Sequence, residues 1–553
     1  MEEVDLVALR ERAAGIRVAV IGAGVAGLVA AREFAGLGFA VDVYEADERP
    51  GGAVRSGELA GVRLDFGAES FATRGGHVRK LIDELGIGGL VVDADPGTGG
   101  AWLAGLPGGK AAPLPKGGLL GIPASPFAPD VRRILGTGGA LKAYLADTLK
   151  PVLTIGHAHS LGRLVRTRLG DDVADRLVAP ITHGVYSADP DDIDPDAAAP
   201  GLGAAITKTG RLFSAVDYLQ AERRGAAKAP GAAVQGISGG MGRLVDALVA
   251  DAEAQGVSLR LSTPVMQLER EGDSWRVRAV AGHPDAADSG ADAARARDAD
   301  APDAAEGGPR DDLGAAADAE RGADAPAGPG ETAAGAMGDA APLYDAVFVA
   351  TGEGAARRLL APHVDGLDPE PAQRGPAVAV VTLVLDAPEL DAAPRGTGVL
   401  TVPGSFRAKA LTQASAKWAW VREAAGPGRH VVRVSFGAQG EPPATDGLSE
   451  ADAAALALGE ASAMLGVALP AERLVAARVE RFDQSQPAAA LGRRAAVDRA
   501  RAAVAKAPAA LGVAGAWVSG TGLAQVVPDA KAEAARLRHV ALWAGEAADE
   551  SAG

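Results

Sequence analysis

One stretch restricts the fold more than any other: residues 17–55, RVAVIGAGVAGLVAAREFAGLGFAVDVYEADERPGGAVR. Residues 18–21 are a short apolar run that reads as a buried strand. Gly22, Gly24 and Gly27 follow at G-x-G-x-x-G spacing. Residues 28–37 continue as an Ala/Leu-rich helix, residues 41–44 as the next strand, and Glu45 closes that strand. Strand, glycine turn, helix, strand and terminal acid make the β-α-β unit of a dinucleotide site. Gly22 permits the tight turn, Gly24 lets the backbone approach a diphosphate, and Gly27 lets helix and strand pack closely. The helix N-terminus offers free N–H groups and a partial positive charge. Gly22, Ala23, Gly24, Val25, Ala26 and Gly27 are therefore candidate cofactor contacts. Glu45, acceptor-only when ionised, is placed to take hydrogen bonds from ribose hydroxyls. The spacing alone says little in a chain with 74 glycines; its place between strand and helix gives it weight.

A second glycine pair, Gly51-Gly52, follows closely, with Arg49 before it and Arg55 after it. A nicotinamide enzyme has no evident need for that element. The string EADERPGGAVRS resembles the second signature of FAD-dependent amine oxidase and porphyrinogen oxidase-like flavoproteins. The resemblance implies FAD and adds Ala46, Arg49, Gly51, Gly52, Ala53 and Val54 to its contacts. Residues 61–76, GVRLDFGAESFATRGG, resemble the next segment of the porphyrinogen oxidases, implying Gly67, Ala68, Glu69 and Ser70 as further contacts. Arg74 beyond them reads either as a solvated loop cation or as a fork that grips a substrate carboxylate at two points.

The absence of cysteine excludes disulfides, thiolate metal sites, a cysteine nucleophile and a cysteine-tethered flavin. Any FAD is then expected to be non-covalent. The eight histidines show no H-x-x-x-H or H-E-x-x-H spacing, so no metal is expected. No apolar run reaches the roughly 18 residues of a spanning helix, and residues 1–17 lack the apolar core of a signal peptide. A soluble cytoplasmic protein is expected, with peripheral membrane contact left open. The formal net charge is −16, yet residues 281–342 carry 14 acids and four arginines, so ten of those charges are local. That segment has almost no large apolar side chains and reads as a disordered insertion, or as a regulatory, partner-binding segment. Nucleic acid is not an expected partner for a chain of this sign.

Along the rest of the chain, residues 77–85 read as a helix and residues 111–127, AAPLPKGGLLGIPASPF, as a Pro/Gly-rich loop. Residues 160–194 read as amphipathic helices, with Ser160 as N-cap, Pro180 ending the second helix and residues 184–190 forming a turn. His183, Tyr186 and Asp189 read as residues that fix this turn rather than as chemical groups. Both segments are similar in spacing to the porphyrinogen oxidases, as is GISGGMGRLVDAL at residues 236–248. By the same resemblance Val265 lies beside the adenine through its backbone, and Ala350-Thr351 match an A-T motif. Residues 417–421, KWAWV, place two tryptophans on one strand face; Trp418 could wall a flavin or simply pack in a core. Residues 450–465 read as a helix. In residues 481–493, Pro487 and Gly492 match a family motif, but Ala489 and Arg493 stand where it has tyrosine and histidine. Gly520, Thr521, Gly522, Leu523 and Ala524 resemble the C-terminal FAD element, with Ala524 in place of the usual proline; its helix N-terminus would face the isoalloxazine.

The resemblance to the porphyrinogen oxidases of haem synthesis covers nearly the whole chain outside residues 281–342, and leans to the coproporphyrinogen-oxidising branch of Gram-positive bacteria. It implies an α/β fold: a Rossmann-like FAD-binding domain of the glutathione-reductase/amine-oxidase type, a mixed-sheet substrate domain and an α-helical lid. The expected division is FAD-binding 15–80, 233–280, 343–360 and 479–553; lid 81–205; substrate domain 206–232 and 361–478. The implied reaction is a six-electron, flavin-mediated oxidation of coproporphyrinogen III by molecular oxygen, giving coproporphyrin III and hydrogen peroxide. No protein side chain is expected to be catalytic. Arg74, Lys116 and Arg176 are candidates for the substrate's propionates by region, and transient contact with a downstream chelatase is conceivable in such a pathway. Other readings are a protoporphyrinogen oxidase, a flavin amine oxidase or carotenoid desaturase, a nicotinamide dehydrogenase, and a flavin-free carrier on the same fold.

Overall fold

A computed structural model describes residues 6–150, 160–226, 234–280, 342–371, 373–483, 489–507 and 509–550. The expectations for residues 281–341 and for Pro487 lie outside these residues. Five parallel strands form the first sheet, in spatial order Ser258–Arg260, Ala40–Tyr44, Arg17–Ile21, Ala346–Val349 and Leu511–Val513. Ranked by chain position this is 3-2-1-4-5, the order of a doubly wound dinucleotide sheet. The helix after the first strand, Val25–Ala35, buries nine of its eleven residues. Apart from Arg32 and Glu33 its sequence is apolar, and it is covered by Leu523–Glu550 and Gly242–Ala254 as well as by the sheet. A three-stranded meander, Val265–Glu271, Ser274–Ala279 and Leu343–Tyr344, leads back into the fourth strand.

The second sheet has seven strands, in the order Leu474–Asp483, Ala377–Asp386, Arg429–Phe436, Ala408–Gln413, Gly398–Thr401, Trp102–Leu106 and Lys110–Pro113. All pairs are antiparallel except Gly398–Thr401 with Trp102–Leu106, so the sheet is mixed. Alternation divides its faces. Ala379, Val381, Leu383, Val432, Val434 and Phe436 pack with helix Glu450–Leu465, which spans the expected residues. Thr382, Val384, Arg433 and Ser435 are left to the opposite face, toward the dinucleotide domain and the helices.

Those helices, Pro129–Leu149, Leu161–Leu169, Ala179–Tyr186, Leu202–Thr209 and Leu212–Ala226, enclose a core of their own. Ser160 caps its helix by accepting a hydrogen bond from the Arg163 N–H at 3.2 Å. Four expectations change here. Pro180 lies inside a continuous helical run instead of ending a helix: a π turn over Ala174–Val178 runs directly into Ala179–Tyr186, and a wider turn tolerates the missing proline donor. The expected turn at residues 184–190 begins later, where Ser187 adopts φ 53° after Tyr186. The supposed loop at residues 111–127 contributes an edge strand and a short hairpin, Gly118–Leu119 with Ile122–Pro123. Helices Leu202–Thr209 and Leu212–Ala226 pack with the lid, although residues 206–232 were expected in the substrate domain, and Trp102–Leu106, expected in the lid, joins the seven-stranded sheet. Among the described residues no helix is long and apolar enough to cross a membrane.

The pairing of Trp275 with Tyr344 and Arg276 with Leu343 brings the two ends flanking residues 281–341 onto adjacent antiparallel strands. A short turn can join such strands. Replacing residues 281–341 with a four- to six-residue Gly/Asn linker should therefore change the melting temperature by no more than about 2 °C, measured by differential scanning calorimetry.

Candidate dinucleotide site

The three fingerprint glycines have different physical reasons. A Cβ on Gly27 would sit 1.8 Å from the Gly22 carbonyl oxygen, and one on Gly22 would sit 2.8 Å from that of Ala350. Both glycines are required by the protein's own backbone. Gly24 is not: its φ of −66° and ψ of 172° suit any L-residue, and a Cβ there meets nothing within 4 Å. The open space lies at the N-terminus of helix Val25–Ala35, where the first-turn N–H groups have no intrahelical acceptor. A phosphate group lying against Gly24 fits this cradle and explains a glycine that packing does not.

The second glycine pair builds the opposite wall. Gly51 bridges Gly24 and donates its N–H to the Ala23 carbonyl at 2.9 Å, with φ 113°. A Cβ on Gly52 would stand 3.4 Å from Gly24 Cα. The chain then passes Ala53 and the buried Val54 to Gly67, whose absent Cβ would lie 2.1 Å from the Ala53 oxygen; Ala68 donates to that same oxygen. Glu45 accepts from the N–H of Ala23 at 2.7 Å and of Asp47 at 2.9 Å. Burial raises its carboxyl above the ordinary range, and these two donors oppose the rise. Its oxygens keep further lone pairs for hydroxyl donors. Backbone bonds from Thr263 to Glu45 and from Ser262 to Asp47 bring the loop before Val265 alongside Glu45-Ala46. Ala350 donates to the Ile21 carbonyl, placing Ala350-Thr351 beside the first turn. Gly520 has φ 106°, Thr521 and Gly522 are exposed, and Leu523 and Ala524 open helix Leu523–Glu550.

Other expected contacts have different placements. Arg49 is largely exposed, 3.9 Å from Glu48. Trp418 lies between two short helices, not on a strand, and is packed among Val62, Leu64, Phe66 and Val421 at 2% exposure. This corrects the shared tryptophan face, since the KWAWV alternation is broken by the turn at Trp418. Glu69 commits its side chain to Lys417 Nζ at 2.6 Å and Arg433 Nη1 at 2.7 Å. Burial alone would raise its pKa; the two cations hold it at about 2. Arg433 also donates to the carbonyls of Phe66 and Gly67, pinning residues 66–70, Ser70 among them, to the second sheet. Arg55 makes a similar tie, to Glu480 at 3.0 Å and to Asp47.

The three substrate candidates do not come together. Arg176 pairs with Asp172 one turn earlier at 2.7 Å. Lys116 is exposed near the lid, its backbone N–H donating to Asp130. Arg74 lies close enough to the Tyr186 phenol for its charge to oppose the rise that burial causes in that group's pKa. Asp189 caps the turn Pro190–Asp192, while His183 and Tyr186 belong to the helix before it. Ala489 is buried in the lid core, and Arg493 is buried against Glu353 and the Trp517 carbonyl. Lys417, Arg433 and Lys409 were missed by sequence reading; a lysine or arginine on a strand or short helix is a signal too local to name its partner.

The flavin-containing amine oxidoreductase family matches residues 25–292. A coproporphyrinogen III oxidase from Mycobacterium bovis is 27% identical over 513 residues, 91% of this chain and 93% of that protein. One from Propionibacterium freudenreichii is 30% identical over 284 residues, 46% of this chain and about half, 53%, of the relative. Among solved structures, an Exiguobacterium protein proposed to be a protoporphyrinogen oxidase superposes with a TM-score of 0.72 at 21% identity, covering 95% of this chain and 99% of that one. The fold is that of the flavin amine oxidase group, and the cofactor it supports is a flavin.

Two substitutions separate packing from ligand contact. Gly24→Ala should cost the apoprotein no more than about 1 kcal/mol yet strip the flavin, whereas Gly27→Ala should prevent folding; absorbance near 450 nm and thermal melts read the two. Because the Glu69 pKa lies below its ordinary value, its stabilisation is present above about pH 4.5 and fades as pH falls toward 2. Glu69→Gln should then lose on the order of 3 kcal/mol at pH 7, with the gap to the parent protein narrowing below pH 4.5 in urea titrations.

Proposed function

We infer that this homologue of the coproporphyrinogen III oxidases holds FAD without a covalent bond and uses it to oxidise coproporphyrinogen III. The observation that carries the reading is similarity over 93% of the length of a mycobacterial protein so named. The open cradle at Gly24 supports the cofactor. Gly22 to Gly27 would hold the diphosphate, Glu45 and Ala46 the ribose, and the Val265 backbone the adenine. Arg49, Gly51, Gly52, Ala53, Val54, Gly67, Ala68 and Ser70 would line one side of the nucleotide, and Ala350 with Thr351 the other. Gly520 to Ala524 would present a helix N-terminus to the ring, where a partial positive charge favours electron uptake. When bound, FAD supplies the redox chemistry: three two-electron oxidations of the macrocycle, with electrons passed on to oxygen as hydrogen peroxide.

The protein's own part is position and charge. Glu69 with Arg433 and Lys417 holds residues 66–70 against the second sheet, so that the nucleotide domain and the sheet face keep one spacing. Arg74, with Tyr186 opposite, is the described cation best placed to meet a substrate carboxylate at the edge of the lid. No side chain needs to act as acid or base if protons leave to water as the macrocycle loses electrons.

The fold neighbour from Exiguobacterium favours a second reading, protoporphyrinogen IX as substrate. Porphyrin fluorescence assays with each porphyrinogen at matched concentration decide between them; the first reading expects the higher kcat/KM with coproporphyrinogen III. Anaerobic coproporphyrinogen should bleach the flavin spectrum, and oxygen should restore it with peroxide release. Glu45→Ala should raise the dissociation constant of FAD about tenfold, measured by equilibrium dialysis. A preparation that takes up no FAD, or turns neither porphyrinogen fluorescent, would refute the proposal.

A further inference from the structure

Lys409 is the side chain that neither the fold nor the cofactor site accounts for. It stands at the register shift between Ala408 and Ala410, where the strand leaves regular pairing with Arg429–Phe436. It is 6% exposed. The other buried cations among the described residues each meet a carboxylate: Arg168 meets Asp147, Arg357 and Arg493 meet Glu353, and Arg433 meets Glu69. Lys409 meets none within ion-pair distance among the described residues. Its Nζ donates one hydrogen bond, 2.6 Å to Ser187 Oγ, out of the three an ammonium can make. Burying such a group without a counter-charge is expensive. Burial draws the amine down to about 8, so at pH 7 it is still mostly charged.

The carboxylates that act on this corner, Glu441 and Asp189, are both exposed. Ser187 closes helix Ala179–Tyr186, whose last turns carry His183 and Tyr186. His183 is made less basic by burial and by the Lys409 charge, while Glu441 and Asp189 oppose both. Glu441 lies 3.3 Å from His183, and its side chain is 68% exposed. Arg74 stands near Tyr186. One helix end thus has Lys409 beneath it and Arg74 beside it. Gly184 on the same helix sits flush on the second sheet, where a Cβ would come 2.5 Å from Leu400.

We propose that this junction of lid helix and sheet is a carboxylate seat, in which Lys409, with the Ser187 hydroxyl, receives one acidic side group of the substrate while Arg74, near Tyr186, meets a second. The proposal deepens the porphyrinogen reading and rests on it. It assigns the deep anchor to a residue on the sheet and leaves Lys116 and Arg176 out of the site.

The test uses the FAD-loaded full chain and a binding readout. Coproporphyrin III, with four carboxylates, and the same ring with its acids converted to neutral amides are titrated while porphyrin fluorescence is followed. The parent protein should prefer the acid by tenfold or more. Lys409→Met should abolish most of that preference by weakening acid binding alone, with flavin absorbance unchanged. Lys409→Arg should retain the preference and Lys409→Gln should lose it, which keeps the comparison available if the Met variant does not fold. An acid preference that survives in Lys409→Met or Lys409→Gln overturns the seat while leaving the porphyrinogen reading intact. A parent protein that binds neither ring takes both down.

Discussion

Backbone touching backbone at the glycine turns is the contact on which the rest of the molecule depends. Gly27 lies against the Gly22 carbonyl, Gly51 bridges Gly24, and Gly67 lies against the Ala53 carbonyl. Each approach is too close for a Cβ, except at Gly24, which keeps its open side for something other than protein. The three contacts step from the first strand to residues 66–70 with almost no side-chain volume between them. That short path sets the reach of Glu69 toward the second sheet. A bulkier residue at Gly27 or Gly67 would push the layers apart by an ångström or more, beyond what a 2.7 Å ion pair can follow.

The polar groups on the inner face of the second sheet form a graded row. At one end Glu480 meets Arg55. In the middle Arg433 and Lys417 share Glu69. At the far end Lys409 has only a hydroxyl. The first two positions join the sheet to the nucleotide domain and are charge-compensated, as buried ion pairs must be to be tolerated. The third joins the sheet to the lid and is not. A fold that spends carboxylates at two of these three junctions leaves the third positive charge with a hydroxyl alone, and on the proposed reading a substrate carboxylate would be its counter-ion.

Local patterns explain which parts were legible in advance. The β-α-β unit at residues 17–45 shows in sequence because its glycines, apolar runs and terminal acid are neighbours in the chain. Helix Glu450–Leu465 shows because a Ser cap and an apolar stripe mark both its start and its face. Trp418 misled because two tryptophans two residues apart imitate a strand face, whereas the chain turns between helices there. Pro180 misled because a proline usually ends a helix; a π turn just before it absorbs the lost donor. Arg433 was silent because strand Arg429–Phe436 reads as a β pattern whatever its charged residues meet, and its partner Glu69 lies 364 residues earlier.

The candidate site follows the same division, and the division has a physical cause. Turns such as those at Gly22 and Gly520, with φ 103° and 106°, must be encoded by glycine itself, because any other residue would change the shape of the turn, while Gly24 is needed only for the open space beside it. They therefore leave a spelling in the sequence. Contacts made by long cations can be reached from many chain positions, since a lysine or arginine stem spans several ångströms and bends to its target. Arg74, Lys116 and Arg176 were equivalent as letters; the fold gave Arg176 to Asp172, left Lys116 on the surface and set Arg74 at Tyr186. On the proposed reading, recognition of a nucleotide is written in the chain as a motif, while recognition of an acidic substrate would be decided where the lid meets the sheet, by which cations the fold has left without a carboxylate.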